Sequence, residues 1–475
     1  MDVDLLVRHG HVIAMDDAGT LIPDGAVAVA GGRIVDVGAD ATVAARCVAA
    51  RELDAGGAPV HPGLVESHLH ASFHTFRGAL PDHLAEDDSF DTFESVFYNH
   101  VTDEDEYLAV ALAAIEMIRN GTTCFLEAGT VLSPDSAARA ASLVGIRAVL
   151  GDPFIWDQPD GFAQGMRAAA GNRSRIARAP GSRAEALDRL GTELRRNADP
   201  DALVTGHVAV LGLGTASEEL MLAAKSRADA AGCVLNIHQS YSPADTGADR
   251  LRFGKDPLLH LADIGFLDRN VTLAHANHLG DEECEALLDR GASIAWAPAA
   301  SMMWGHGGCF RGRHAELHRR GATIALGSDS PNWSNDFDLF RQANLAVLTA
   351  REAHRDRTYL VAEDGLWMAT RAGARAVGLA DWIGSIEVGK RADIVVHTLR
   401  RPELVPVTDM VRNLVYSSRS KSVSTVIVNG RIVLDEGAFV GVDEGELLRE
   451  VQRSSTALLR RMGKVVEPNR VARRG

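Results

Sequence analysis

The chain has 475 residues, a length that allows one large domain and one smaller domain. Of its residues 46% are hydrophobic and 24% are charged, a composition typical of globular proteins. Its formal net charge of -15 argues against nucleic acid or an anionic membrane as the main partner. The five cysteines form no CxxC pair and the N-terminus has no signal-peptide pattern, so we expect a cytoplasmic protein.

Both ends of the chain predict short β-strands separated by tight turns. Residues 1–60 contain β-branched, alternating stretches with a Gly-Gly pair at 31–32, and residues 384–440 contain similar stretches with an Asn-Gly pair at 429–430. Two-residue turns of this composition join the strands of hairpins. We therefore expect the two ends to build one small composite β-sandwich.

The middle of the chain, residues 61–383, alternates apolar runs such as TTCFLEAG, VLNIHQS and TIALGSD with amphipathic stretches such as DEECEALLDRG. Strands that alternate with helices indicate parallel β/α units, and the number of repeats favours an α/β fold with a closed (β/α)₈ TIM-type barrel. Residues 441–475 are predicted to form a C-terminal helix and tail. In such barrels the reactive side chains lie where the strands end.

Polar residues follow several of these predicted strands. One strand runs into His68 and His70, which point the same way because side chains alternate along a strand. His238 and His275 end two later strands, and Asp329 ends another. Imidazole and carboxylate ligands with an open position suit Zn²⁺, and Fe²⁺ or Mn²⁺ could use the same ligands.

This set of residues suggests a hydrolytic chemistry. A divalent metal lowers the pKa of its bound water to about 7, which makes the water a nucleophile at neutral pH. Asp329 could then hold the attacking water and carry its proton, while His275 could polarise the substrate. The sequence therefore predicts Asp329 and His275 as catalytic residues.

Longer motifs resemble the amidohydrolase superfamily, in the branch of aminohydrolases and s-triazine hydrolases that includes atrazine chlorohydrolase-like and adenosine-derivative deaminase-like enzymes. The motifs are HPGLVESHLHASFHTFRG, LAHANHLGDEE, LGSDSPNWSND and LWMATRAGARAVGLADWIGSIEVGKRADIVV, and the similarity covers nearly the whole chain. The resemblance implies one metal ion, with zinc expected, held by His68, His70, His238 and Asp329. It places His275 in the pocket and leaves a homo-oligomer open.

The sequence departs from the pattern of that branch. Tyr241 stands where most of its deaminases carry the glutamate of an HxxE motif, and a tyrosine with a pKa near 10 is a poor general base. The family's HCPxSN element is replaced by AWAPAAS at 295–301. The segment VLGLGTASEEL lacks the histidine of the Pro-His pair that the family carries there. These departures argue against a standard adenosine-type or guanine-type deaminase.

Four further residues are candidates for contact with the substrate. Glu127 closes the second strand and could face the barrel mouth, and Tyr241 could donate a hydrogen bond or form part of the wall. Trp304 and Trp333 lie in mouth loops, where they could stack on a flat ligand or serve only in packing.

Three functions remain open at this stage, each with a small-molecule ligand. The first is hydrolysis of a C–N bond by deamination of an aminated heterocycle or cyclic amidine. The second is ring opening of a cyclic amide or imide, or removal of another leaving group, in the same site. The third is a non-catalytic barrel that binds a small molecule, which the converging polar residues disfavour.

Overall fold

The computed structural model describes residues 1–80, 93–158 and 176–464 of the chain. The predicted C-terminal helix spans Glu444–Arg461, and the tail beyond residue 464 lies outside the described residues. The strands are β1 Asp2–Ile13, β2 Leu21–Ala30, β3 Arg33–Ala39, β4 Val48–Asp54, β5 Pro59–Pro62, β6 Leu64–Leu69, β7 Thr122–Glu127, β8 Arg147–Leu150, β9 Val204–Gly206, β10 Val208–Gly212, β11 Leu235–Gln239, β12 Val271–His275, β13 Ser293–Trp296, β14 Ile324–Leu326, β15 Ile394–His397, β16 Val423–Val428, β17 Arg431–Asp435 and β18 Ala438–Phe439.

Helices connect most of the parallel strands and follow the last of them. The described α-helices are Asp40–Ala44, Ser95–His100, Asp103–Arg119, Pro134–Val144, Arg183–Arg189, Glu218–Ala231, Pro243–Phe253, Pro257–Asp263, Asp281–Arg290, Pro298–Met303, Gly308–Arg311, His314–Arg319, Leu339–His354, Ala362–Trp367, Gly373–Ala376, Met410–Arg412 and Glu444–Arg461. Within the described ranges, we find no helix that is both long and apolar enough to span a membrane.

The two ends of the chain meet in one nine-stranded sheet with the order β18-β17-β16-β15-β5-β1-β2-β3, in which β4 also pairs with β1. The C-terminal strands join the N-terminal ones where β15 runs antiparallel to β5, with Val396 opposite Val60 and Ile394 opposite Pro62. Side chains from both ends, such as Val7 and Ile394, share one apolar cluster. Burial of each such side chain stabilises the fold by about 1.5–3 kcal/mol.

The middle of the chain contains two parallel sheets, one with the order β6-β7-β8-β9 and one with the order β10-β11-β12-β13-β14. Only His207 separates β9 from β10 in sequence, and its N–H donates to the carbonyl of Leu150 at 3.0 Å. Beyond β14, Asp329 forms a parallel bridge with Leu69 of β6. The ends of β6, β11, β12 and β14 therefore lie close together.

Candidate metal centre

Four histidines and one aspartate converge at these strand ends. His68 lies in β6 and His70 directly follows it, His238 lies in β11, His275 ends β12 and Asp329 follows β14. The Nε2 atom of His70 lies 3.2 Å from that of His238 and 3.5 Å from Oδ1 of Asp329. The same Oδ1 atom lies 3.9 Å from Nε2 of His68, and Oδ2 lies 4.0 Å from Nε2 of His275. The structure thus brings together all five residues that the sequence singled out.

Hydrogen bonds to the Nδ1 atoms of His70 and His238 determine which nitrogen of each ring carries the proton. Nδ1 of His238 lies 2.6 Å from the carbonyl oxygen of Leu211, which can only accept a hydrogen bond. Nδ1 of His70 lies 2.8 Å from the hydroxyl of Thr130, and that hydroxyl donates its own proton to Glu127 at 2.7 Å. Both Nδ1 atoms are therefore donors, and in the neutral rings both Nε2 atoms carry lone pairs.

The rings are held in the neutral form. Burial lowers the pKa of His238 to about 4, and burial followed by repulsion from neighbouring rings lowers the pKa of His68, His70 and His275 well below the ordinary value. Neutral imidazole is the form that binds metals.

The donor set fits a metal ion. Two lone-pair nitrogens that face each other at 3.2 Å repel unless a cation lies between them. Both ring nitrogens of His68 are buried and have no hydrogen-bond partner among the described residues. Ligand atoms about 2.1 Å from a tetrahedral zinc lie roughly 3.4 Å apart, close to the spacing seen here. Three imidazoles and one carboxylate are ordinary zinc ligands.

A buried glutamate that sequence analysis did not single out fixes the backbone beneath this cluster. Oε1 of Glu66 accepts the N–H of His68 at 3.2 Å and the N–H of Ser328 at 2.8 Å. The N–H of Asp329 in turn donates to the carbonyl of His68 at 2.9 Å. Glu66 therefore ties β6 to the loop after β14, which sets the distance between the two potential ligands.

A cavity opens directly above the cluster. Most of its wall is aromatic or aliphatic, which suits a ligand with a flat apolar part. The apolar and aromatic wall residues are Phe73, Tyr98, Phe154, Leu211, Tyr241 and Trp333. Glu94 adds a second carboxylate besides Asp329, and its Oε1 accepts a hydrogen bond from Nε1 of Trp333 at 3.2 Å.

The four residues predicted to contact substrate divide into two pairs. Tyr241 and Trp333 line the cavity, whereas the described residues of its wall include neither Glu127 nor Trp304. The carboxylate of Glu127 turns back and accepts the N–H groups of Gly129 and Thr130, so it supports the loop that holds His70. Trp304 stacks on Trp333 with ring centroids 4.5 Å apart, one layer behind the wall.

Sequence analysis also missed Glu94 as a cavity residue. It lies just before the helix Ser95–His100 and not at the end of a strand, so the alternation that identified the other residues gave no signal there. Its burial beside Trp333 depends on two segments that are far apart in sequence. No local pattern in the sequence indicates that contact.

Comparisons with known proteins agree with the motifs. The profile of the amidohydrolase family matches residues 60–433. The 5-methylthioadenosine/S-adenosylhomocysteine deaminase of Syntrophobacter fumaroxidans is 32% identical over 453 residues, which cover 94% of this chain and 97% of that protein. The 5'-deoxyadenosine deaminase of Methanosarcina mazei is 30% identical over 475 residues, which cover 97% of this chain and 99% of that protein.

Solved structures show the same architecture. An adenosine deaminase from Xanthomonas campestris with bound zinc superposes with a TM-score of 0.86 at 26% identity, covering 96% of this chain and 99% of that one. Atrazine chlorohydrolase from Arthrobacter aurescens, in complex with zinc, superposes with a TM-score of 0.83 at 24% identity, covering 96% of this chain and 100% of that one, and shares its fold. The resemblance seen in the motifs is confirmed, and this chain belongs to the amidohydrolase family.

Proposed function

We propose that this protein is a zinc-dependent hydrolase that removes the amino group of an aminated heterocycle, with adenosine derivatives as the first class to test. The observation that carries the proposal is the pair of lone-pair nitrogens of His70 and His238, which face each other at 3.2 Å beneath an aromatic cavity. The names of the relatives support the substrate class, since they are deaminases of adenosine derivatives.

The proposed zinc ligands are Nε2 of His68, His70 and His238 together with Oδ1 of Asp329. A zinc ion held there would polarise a water molecule so that it can attack an electrophilic carbon. Asp329 is proposed to take the proton of that water, because the residue lines the cavity and its second oxygen lies 4.0 Å from Nε2 of His275. His275 is proposed to hydrogen-bond the substrate atom on which negative charge develops.

Tyr241 is the proposed donor to the leaving nitrogen, in place of the glutamate that most deaminases of this branch carry. It lines the cavity, and its ring centroid lies 6.0 Å from that of His275. A Tyr241→Phe variant keeps the aromatic wall and removes only the hydroxyl. We expect turnover to fall by roughly 100-fold or more, the contribution typical of a general acid. Unchanged kinetics would make Tyr241 part of the wall only.

The second candidate is ring opening of a cyclic amide or imide. The presence of Tyr241 in place of the usual glutamate favours this reaction. In ring opening the leaving nitrogen stays attached to the product. One proton carrier such as Asp329 can then both take the proton of the attacking water and give a proton to that nitrogen. A mass-spectrometric screen of zinc-loaded protein against adenosine derivatives, other aminated heterocycles, cyclic amidines and cyclic imides separates the two reactions. Ammonia release with exchange of an amino group for oxygen supports deamination, whereas addition of a whole water without ammonia overturns it in favour of ring opening.

For the fold, we propose that the two parallel sheets form one closed eight-stranded (β/α)₈ barrel, in which β9 and β10, separated only by His207, count as one strand. The short gap at His207 and the bridge between Leu69 and Asp329 support closure at both edges. The proposed domains are a composite β-sandwich of 1–60 and 384–440, the barrel of 61–383, and a C-terminal helix and tail of 441–475. All five cysteines are free thiols, which supports the proposed cytoplasmic location.

A further inference from the structure

The side chain of His275 points to the opposite side from the one that its strand predicts. In the parallel pair of β11 and β12, Ile237 lies opposite Leu273, and both pack in the apolar layer between strands and helices. Strand alternation places residue 275 on the same side as residue 273, which is the helix side. The imidazole of His275 instead lies at the metal cluster, with its centroid 5.0 Å from that of His68 and 5.6 Å from that of His238.

The backbone at the end of β12 accounts for this reversal. His275 has a φ of +69° and Ala276 a φ of +49°, both in the left-handed region. The N–H of Ala276 donates to the carbonyl of Ala274 at 3.1 Å, which closes a three-residue γ-turn around His275, and this N–H is shared with the carbonyl of Gln239 in β11 at 2.9 Å. A γ-turn with positive φ is rare and strained, and the left-handed conformation costs a residue with a side chain about 1–2 kcal/mol. The direction of the imidazole therefore depends on contacts that hold the turn.

One such contact comes from a distant histidine. Nε2 of His314, the first residue of the helix His314–Arg319, lies 2.7 Å from the carbonyl oxygen of His275. A carbonyl only accepts, so the proton of His314 lies on Nε2. Burial lowers the pKa of His314 to about 4, which keeps the ring neutral.

The ring of His314 is itself held in place. It stacks on Trp296 of β13 with centroids 4.6 Å apart and ring planes within 1° of parallel. Both rings are buried, with exposed fractions of 1%. Trp296 belongs to the segment 295–301, where the sequence departs from the family's HCPxSN element. Trp296, which is part of this departure, therefore holds the ring of His314 in place behind the γ-turn.

We infer that His314, supported by Trp296, is a positioning residue that stabilises the γ-turn at His275 and thereby aims the His275 imidazole at the cluster. The inference rests on the role proposed for His275 and goes beyond it, since His314 lies behind the strand and contacts only the backbone of the site. It also gives a function to the unusual Trp296.

The test compares two substitutions of the same residue. His314→Phe keeps a ring on Trp296 and removes the N–H donor, whereas His314→Gln keeps an N–H donor at a similar reach. With Phe we expect kcat to fall by roughly 100-fold, the cost of a displacement of about 1 Å in a catalytic group, with KM and zinc content unchanged. With Gln we expect most of that loss to be restored. Wild-type kcat in the Phe variant would overturn the inference.

A matched control lies four residues further along the same helix. Nε2 of His318 donates to the carboxylate of Asp364 at 3.1 Å, and His318 has no described contact with the γ-turn. The His318→Phe variant is expected to keep wild-type kcat and KM. A loss equal to that of His314→Phe would mean that the helix acts only through general stability, which would also overturn the inference.

Crystal structures of the zinc-loaded wild type and His314→Phe separate this inference from the proposed function. We expect the φ of His275 to move away from its wild-type value of +69° in the variant and its ring to shift by about 1 Å or more from its place at the cluster. An unchanged turn overturns the inference even if the protein deaminates nothing in the panel. If the Phe variant does not fold, His314→Asn, whose amide is too short to reach the carbonyl, is measured in its place with the same expected outcomes.

Discussion

The protein contains two buried clusters of histidines that differ in how their nitrogens are satisfied. In the cluster at the ends of β5 and β15, Nδ1 of His61 donates to the carbonyl of Pro62 at 2.7 Å, and its Nε2 lies 2.8 Å from Nε2 of His397. Nδ1 of His397 lies 2.7 Å from the hydroxyl of Ser422. One set of proton positions satisfies all four nitrogens, with His397 donating to His61 and Ser422 donating to His397.

In the cavity cluster no such set exists. The Nδ1 atoms of His70 and His238 carry the protons, so their Nε2 atoms face each other at 3.2 Å with no proton between them. Burial lowers the pKa of His61 and of His238 alike to about 4, so pKa alone does not separate the clusters. Buried nitrogens that the protein leaves unsatisfied therefore indicate a metal site more clearly than burial or the number of histidines does.

The largest expected effect comes from removal of a cavity histidine. His238→Ala should lose its bound zinc and lower turnover by more than about 100-fold, since loss of a supporting residue alone costs 10-fold to 100-fold. The matched His397→Ala variant should keep its zinc. Elemental analysis of the purified proteins and kinetic assays check both. A His238→Ala protein that is fully active and contains stoichiometric zinc would remove the contrast between the clusters.

Zinc itself should stabilise the fold through the cavity cluster only. At free zinc about 1,000-fold above its Kd, the free energy of unfolding should rise by about 4 kcal/mol. The His238→Ala variant should show almost none of this increase, and a His61→Gln variant should show all of it. Urea unfolding with and without a chelator measures the difference. Equal stabilisation of the His238→Ala protein would place the zinc elsewhere.

A smaller effect is expected from removal of the Thr130 hydroxyl, which orients the ring of His70. Thr130→Val removes the acceptor for Nδ1 of His70 while keeping the shape of the side chain, so the ring can rotate or change tautomer. Zinc affinity should fall by about 10-fold to 100-fold. Competition with a chromogenic chelator gives the Kd. Ser422→Ala, the corresponding change in the other cluster, should leave the Kd unchanged, and equal losses in both variants would contradict the comparison.

The smallest effect concerns the pH dependence of stability. Burial lowers the pKa of His61 to about 4 in the folded chain, against an ordinary value of 6.5. Below pH 6.5 the unfolded chain binds a proton that the folded chain does not, so the contribution of His61 to stability is lost as pH falls towards 4. His61→Gln keeps an acceptor for His397 and does not titrate.

In metal-free protein, the unfolding free energy of the wild type should therefore drop between pH 7 and pH 5.5 by roughly 1 kcal/mol more than that of His61→Gln. Urea titrations of both proteins at the two pH values give this difference. Parallel pH profiles would show that His61 titrates alike in the folded and unfolded chains. That result would contradict the hydrogen bonds assigned to the neutral ring of His61.

Much of the site was predictable because it follows from local patterns. His68 and His70 share a side because strand alternation has a period of two, and His238 and Asp329 join them because parallel strands end at one edge of the fold. The motifs around them also identified the family, and the paired turns at the two chain ends indicated their strands. Each of these signals lies within one continuous stretch of the sequence.

Only the tertiary structure determined the remaining features, because each depends on a contact between distant segments. Glu127 ends a strand as expected, yet the loop that follows captures its carboxylate. Glu94 reaches the cavity wall through its bond to Trp333. His275 reaches the cluster through a left-handed turn whose carbonyl is bound by His314, 39 residues further along the chain. Strand alternation alone would have placed its side chain among the helices, so the sequence named the right residue while the fold decided its direction.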